Sequence, residues 1–420
     1  MTVPKVCHLV LSLAPGGLER LVVDWTNDRN RRNPFSTSIV CLDENGALAA
    51  EVNEFPPNGA LQSRQSLWCL QACRLRKPFD IPAVLRLRRL LRELRVTVLH
   101  SHNAAAWQYG AIATMGTGVC HVHTEHGTNP HFKGLANRFR TALLWRLTRR
   151  TVAVSESVAE ELSVRHRIPR QSLLVIANGI PWERFLGLEN RRKENGGKGV
   201  STSRRMGLDD HGGSGMLPES GLHRGTACSE SLRPCIGSVG RLVKIKGYDR
   251  LLAAFREFRR LEIAGGRVPP RLLMVGDGPE RATLEQQAHA LRMSADVTFA
   301  GFQPDPRPSY AEMDLFVLPS RSEGLPISLL EAMASGIPVA VTDVGESGRV
   351  VDGGRCGVIL PQDENQWPGA LSALLQDRAG MKVRADFARH RVRECYSMEA
   401  TLAGYENLYK CCSGMIQFGD

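Results

Sequence analysis

The feature that most constrains this chain is an alternation, carried out twice, of short apolar runs with amphipathic stretches. Residues 6–13, 36–42, 96–100, 119–124, 150–154 and 173–177 read as buried strands, and helical patterns lie between most of them. Around residues 190–233 the alternation stops. Gly, Ser and mixed charges take over with almost no periodicity, which reads as a flexible insertion. The alternation then resumes, with strands expected at 235–240, 272–276, 297–300, 315–319, 338–342 and 357–360. Helices are expected at 248–261, 280–292 and 326–334, and a last amphipathic helix at 398–410. Strands alternating with helices predict a parallel sheet wrapped by helices. The chain therefore divides into a first α/β unit (1–182), a linker carrying the insertion (183–234), a second α/β unit (235–395) and a C-terminal helix (396–420) expected to pack back on the first unit. In such units ligands sit beyond the C-terminal ends of the strands, so two facing units make a cleft between them.

Composition narrows the function classes. No apolar run approaches the roughly 20 residues that span a bilayer. The apolar stretch at 6–14 runs into Gly16-Gly17 and reads as a first strand rather than a signal peptide. The 11 cysteines show no metal-ligand spacing: Cys69 and Cys73 are four apart, Cys411 and Cys412 adjacent, and an odd count without a framework predicts reduced thiols in a cytoplasmic protein. A net charge of +11 asks for an anionic partner: nucleic acid, a lipid surface or a phosphorylated small molecule. Neither a nucleic-acid-binding module nor an aromatic-basic strand face is present, which argues against the first.

The residues that carry chemistry lie in 322–338, SEGLPISLLEAMASGIP. Pro326 suits the first turn of a helix, where its missing N–H costs nothing. Glu323 then stands just ahead of the helix N-terminus and Glu331 lies inside it. The free N–H groups and positive dipole end at that point suit a phosphate or diphosphate. Eight helical residues span about 12 Å, so the two carboxylates would contact two ends of one elongated ligand rather than share a small site. The plain alternative is a capping Glu323 and a solvated Glu331. Against it, Arg241 and Lys246 follow the first strand of the second unit and bring cations to the same sheet edge, where a diphosphate needs neutralising. Lys244 is expected to point outward.

These residues resemble the retaining GT-B glycosyltransferases of family 4, as found in bacterial exopolysaccharide and surface-glycan synthesis. Glu323 and Glu331 match the family's Glu-x7-Glu element, and Gly240-Arg241 with Lys246-Gly247 its diphosphate-binding loop. Gly16-Gly17-Leu18-Glu19-Arg20, His100-Ser101-His102-Asn103, Thr124-Glu125-His126-Gly127, Asn178-Gly179-Ile180 and Val275-Gly276-Asp277-Gly278-Pro279 follow in the family's order. The resemblance implies two Rossmann-like domains with parallel sheets facing across a cleft, the first for the acceptor and the second for the nucleotide sugar. It implies that Glu323 contacts donor-sugar hydroxyls, that Glu331 holds the ribose, and that Arg241 and Lys246 bind the diphosphate and stabilise it as it leaves. His126 would reach the donor sugar; Gly16, Gly17, Gly240, Gly276, Gly278, Gly324 and Leu325 would line the donor. At least one of His100 and His102 is expected to be structural.

The implied enzyme is a hexosyl-type transferase that uses no metal and no cofactor beyond its donor substrate, a UDP-sugar first and GDP-mannose second. A double displacement needs a carboxylate beside the anomeric carbon, and none is evident. The front-face route, with the leaving phosphate taking the acceptor proton, is therefore expected. Two residues depart from the family pattern: Pro181, where Asp is usual, and Arg349, where an acid is common. They leave open a non-catalytic nucleotide-sugar-binding or assembly protein, and a nucleotide-sugar epimerase shares the architecture. Basic, amphipathic stretches at 85–92 and 138–150 predict either ordinary packed helices or a face that lies on an anionic membrane, which would place the protein at the inner face of the cytoplasmic membrane beside a saccharide or lipid-linked acceptor. Donor base, acceptor and oligomeric state are not encoded in any motif.

Overall fold

The computed structural model describes residues 4–14, 16–32, 36–52, 66–71, 80–127, 135–188 and 233–414. The expected insertion, 190–233, falls outside them except for Arg233, as does Cys73.

The first sheet is built from β1 (Lys5–Val10), β2 (Ser36–Cys41), β3 (Leu67–Cys69), β4 (Val98–His102), β5 (Cys120–Glu125), β6 (Arg150–Ala153) and β7 (Leu173–Val175), all parallel, in the order β3-β2-β1-β4-β5-β6-β7. Its helices are α1 (Gly17–Arg32), α2 (Ile81–Glu93), α3 (Asn103–Thr114), α4 (Leu135–Leu147) and α5 (Glu156–His166). The second sheet has β8 (Cys235–Val239), β9 (Arg271–Val275), β10 (Val297–Gly301), β11 (Leu315–Leu318), β12 (Val339–Val341) and β13 (Val358–Ile359) in the order β10-β9-β8-β11-β12-β13, again parallel. Around it lie α6 (Tyr248–Ala264), α7 (Arg281–Ala290), α8 (Arg307–Glu312), α9 (Ile327–Ala334), α10 (Ser347–Val350), α11 (Trp367–Gln376) and α12 (Arg378–Cys395), and α13 (Met398–Cys412) follows.

Both sheets reverse strand order beside their first strand, β1 against β4 and β8 against β11. Such a switch leaves a crevice at the C-terminal strand ends, because successive crossovers depart in opposite directions. The two crevices face one another. One apolar cluster runs through Ile180, Phe185, Tyr310, Leu325, Leu329 and Tyr405 and is shared by both units, beside further clusters that each lie within one unit.

The periodicity reading did not include β3 or the helices α8, α10, α11 and α12. β3 is a three-residue edge strand with half-buried side chains, too short to show a pattern. α12 is eighteen residues, eight of them charged, with buried Met381, Ala385, Ala388 and Val392 at helical spacing. Small residues in two of those four places hide the apolar stripe. α13 crosses back to the first sheet: Ser397 bridges Ile180, the Thr401 hydroxyl donates to the Ala177 carbonyl at 2.7 Å, and Tyr405 and Tyr409 bond Thr124 and His100. The amphipathic stretch in α2 turns Ala83, Val84, Leu87 and Leu91 inward, so its apolar face is used by the fold, while Ile81 and Leu85 stand 63% and 60% exposed. Among the described residues no helix is long and apolar enough to cross a membrane.

Candidate active site

The C-terminal edges of the two sheets bring the motif loops together. After β1 the chain turns through Gly16 into α1; a β-carbon on Gly17 would lie 3.4 Å from Ile327, the first residue of α9. After β5, Gly127 packs on Gly324, whose own β-carbon would lie 2.3 Å from the His126 carbonyl oxygen. Glycine at 324 is thus what lets two backbones from different sheets touch. A further tie comes from Glu346, just before α10: its carboxylate accepts from the Ser157 N–H at 2.9 Å, and its own N–H donates to the Gly324 carbonyl at 3.2 Å.

Within this contact Glu323 is buried, and one oxygen of its carboxylate accepts from Lys246 Nζ at 2.6 Å and from the Ser320 hydroxyl at 2.5 Å. Lys246 ends a single helical turn, Lys244–Lys246, that follows β8. Strand and turn therefore deliver the ammonium to the mouth of α9. Lys244 is exposed. Arg241, on the same loop, is exposed and acts electrostatically on Glu19 of α1. Burial raises the Glu19 carboxyl above its ordinary value, and its own backbone N–H and Arg241 partly offset that. Arg241 thus sits where cations of the second unit meet the Gly16-Gly17 turn of the first.

Glu331, just over one turn into α9, accepts from the Tyr310 hydroxyl at 2.8 Å. Burial pushes its carboxyl up to about 7, against the lowering effect of Tyr310. Arg20 approaches from across the cleft, ion-paired to Glu51 and donating to the Pro304 carbonyl at 2.9 Å. Gly276 and Gly278 serve the backbone: β-carbons there would fall 2.0 Å from the Gly240 carbonyl and 2.4 Å from the Leu242 carbonyl. They let the loop after β9 lie directly on the Arg241 loop. The Leu325 side chain is buried in the shared core, so only its backbone faces the α9 mouth.

The histidines form a group of their own. His126 bonds His102 at 2.9 Å and the Asn178 amide nitrogen at 3.3 Å, and His102 bonds His8 at 2.9 Å. His100 is held by Tyr409 at 2.6 Å and Thr124 at 2.7 Å, which makes it an anchor for α13. Burial, reinforced by His123, depresses His126 to about 3, so its ring is neutral. His8, His100 and His102 are close enough to hold a metal ion, yet hydrogen bonds already engage each ring.

Pro181 leads into a helical turn, Trp182–Phe185, whose Arg184 pairs with Asp24 of α1 at 3.0 Å. Arg349 is exposed on α10. Ser320, Tyr310 and His8 went unnoticed in the sequence. Ser320, three residues before Glu323, offered a faint local signal, whereas Tyr310 and His8 offered none.

Two family models match consecutive parts of the chain: Glycosyltransferase Family 4 over residues 15–184, and Glycosyl transferases group 1 over 233–377. A GDP-mannose-dependent alpha-mannosyltransferase of Mycobacterium tuberculosis (strain CDC 1551 / Oshkosh) is 29% identical over 316 residues, 72% of this chain and 70% of that one. The lipopolysaccharide core biosynthesis glycosyltransferase LpsE of Rhizobium meliloti (strain 1021) is 32% identical over 174 residues, 39% of this chain and 48% of that one, so this chain spans about half of its length. Among solved structures, Anabaena Alr3699/HepE in complex with UDP superposes with TM-score 0.71 at 18% identity, covering 96% of this chain and 99% of that one. The sucrose-phosphate synthase of Thermosynechococcus elongatus gives 0.72 at 18%, covering 97% and 98%. With two parallel sheets meeting at their switch points and both family models in order along it, the chain belongs to the family 4 (group 1) glycosyltransferases and has their GT-B fold.

Proposed function

We propose that the protein transfers a hexosyl group from a nucleoside-diphosphate sugar to a saccharide or lipid-linked saccharide, with retention and without a metal ion, in surface-glycan synthesis. The observation that carries this reading is the Lys246–Glu323 pair at the mouth of α9, beside Arg241. The α9 N–H groups, Lys246 and Arg241 supply the positive field that a diphosphate leaving group needs. Glu323, already oriented by Lys246 and Ser320, accepts from hydroxyls of the donor sugar. Glu331 accepts from the ribose just over one turn into the helix, which sets the donor along α9. The leaving phosphate takes the proton of the attacking hydroxyl on the face it departs from, so configuration is kept. His126, neutral at the edge of the first sheet, adds no positive charge to oppose the one that builds at the anomeric carbon.

The donor in this reading is a UDP-sugar, as the Anabaena neighbour's complex with UDP-glucose supports, or GDP-mannose, as the mycobacterial relative's name supports. The arginines of α2 beside exposed Ile81 and Leu85 support a peripheral contact with anionic lipid. A thermal-shift screen against UDP-, GDP- and ADP-sugars is expected to single out one nucleotide, and radiolabelled transfer with that donor to be lost in Glu323→Ala. Turnover of Glu323→Ala near that of the wild type would sink the proposal. Anionic-liposome flotation that ignores lipid charge would remove the membrane contact.

A further inference from the structure

Three strands that are neighbours at the switch point, β1, β4 and β5, bring three imidazoles into one line, His8 and His102 from β1 and β4 and His126 from the residue after β5. His8 Nδ1 lies 2.9 Å from His102 Nε2, and His102 Nδ1 lies 2.9 Å from His126 Nε2. The line ends at Asn178, whose Nδ2 lies 3.3 Å from His126 Nδ1 and whose buried Oδ1 has no partner among the described residues. Trp25 covers the line, with its ring centroid 6.4 Å from His8 and 6.1 Å from His102, and Tyr405 packs beside it on Trp25 at 5.3 Å.

A neutral imidazole has one N–H and one lone pair, so in such a line each ring dictates the next. An amide nitrogen only donates. His126 must therefore accept at Nδ1 and carry its proton on Nε2, which donates to His102 Nδ1. His102 then carries its proton on Nε2, which donates to His8 Nδ1. An imidazolium anywhere in the line would set one N–H against another. We propose that His8, His102 and Asn178 are positioning residues that hold His126 as a single neutral tautomer, protonated on Nε2, with its Nδ1 lone pair at the cleft edge. This rests on the transfer reaction proposed above, in which that lone pair receives a hydroxyl of the bound sugar in place of the long contact to Asn178. The full burial of His8 and His102 and the partial burial of His126 agree with it, because burial penalises the charged forms.

The test uses the full chain with 15N-labelled histidine. In the wild type, the His126 Nδ1 shift is expected in the unprotonated range and Nε2 in the protonated range. Asn178→Asp is isosteric but can only accept, so it should exchange the two in His126 and His102 and lower kcat by about tenfold or more with donor KM changed less than about twofold. His8→Gln, which can still accept from His102, should keep the wild-type tautomer and kcat; His8→Phe, which leaves the buried His102 N–H without an acceptor, should lose kcat together with some stability. A wild-type His126 protonated on Nδ1 overturns the proposal, and so does Asn178→Asp with the tautomers exchanged and kcat intact. The nitrogen shifts need no turnover: a protein that transfers no sugar but shows this tautomer pattern refutes the transfer reading alone.

Discussion

Replacing Gly324 with Ala tests whether the two units must touch for the site to work. The added β-carbon would lie 2.3 Å from the His126 carbonyl oxygen and 2.9 Å from Gly127 Cα, where ordinary contact begins at 3.4 Å. Both neighbours are backbone, so no rotamer change relieves the overlap and the loops must part by about 1 Å. Overpacking of this kind costs about 1–3 kcal/mol, which reduces the closed population roughly 5- to 150-fold. A misplacement of about 1 Å can by itself cost about 100-fold in rate. The reciprocal change is the control, because a β-carbon on Gly127 meets Gly324 no closer than 3.7 Å. Steady-state kinetics and nucleotide calorimetry on both variants should show Gly324→Ala down about 100-fold in kcat/KM. Its nucleotide affinity should stay within a few-fold if, as proposed, the nucleotide lies against the second unit. Gly127→Ala should be near the wild type in both. Wild-type kcat/KM in Gly324→Ala, or an equal loss in Gly127→Ala, would refute the reasoning.

Glu331 has a carboxyl pushed up to about 7, above its ordinary 4.5, so the fold favours its neutral form. Its contribution to stability is present below about pH 4.5 and is lost as pH rises towards 7. Nucleotide binding should move the opposite way. In the proposed reading the Glu331 carboxylate accepts from the ribose hydroxyls, so calorimetry should show affinity rising between about pH 6 and pH 8, and a flat profile in Glu331→Gln. Tyr310→Phe, which removes the hydroxyl that favours the charged form, should move that midpoint higher. Glu346→Ala leaves the Ser157 N–H without its acceptor between the units and should cost about 1–3 kcal/mol in urea unfolding. Lys246→Ala takes the cation from a buried carboxylate. It should lose transfer altogether in a radiolabelled-sugar assay and unfold at lower urea, whereas a loss of stability with transfer intact would count against its role at the diphosphate.

The parallel sheets were legible because a strand buried on both faces is written as a continuous apolar run, and the helices between as a 3.6-residue stripe. Twelve of the thirteen strands fall on such runs; β3, three residues long, does not. The spacing put Glu331 inside α9 and Glu323 ahead of its N-terminus, but the helix begins only at Ile327, so the distance expected for eight helical residues does not carry over to the pair. Gly276 and Gly278 were visible as a turn, but what they approach, the backbone at Gly240 and Leu242, was not.

The sequence by itself determined the local elements, their α/β class, the glycine turns and the order of the family motifs, because each depends on residues within a few positions of one another. Only the tertiary structure decided that Glu323 is paired with Lys246, 77 residues away, that Gly324 meets His126 across two sheets, and that His8 and His102, 94 residues apart, line up behind His126. Those contacts depend on how two sheets twist, switch direction and share one apolar cluster through Phe185, Tyr310 and Tyr405. That arrangement is settled by packing over the whole chain, and no short stretch of residues records it.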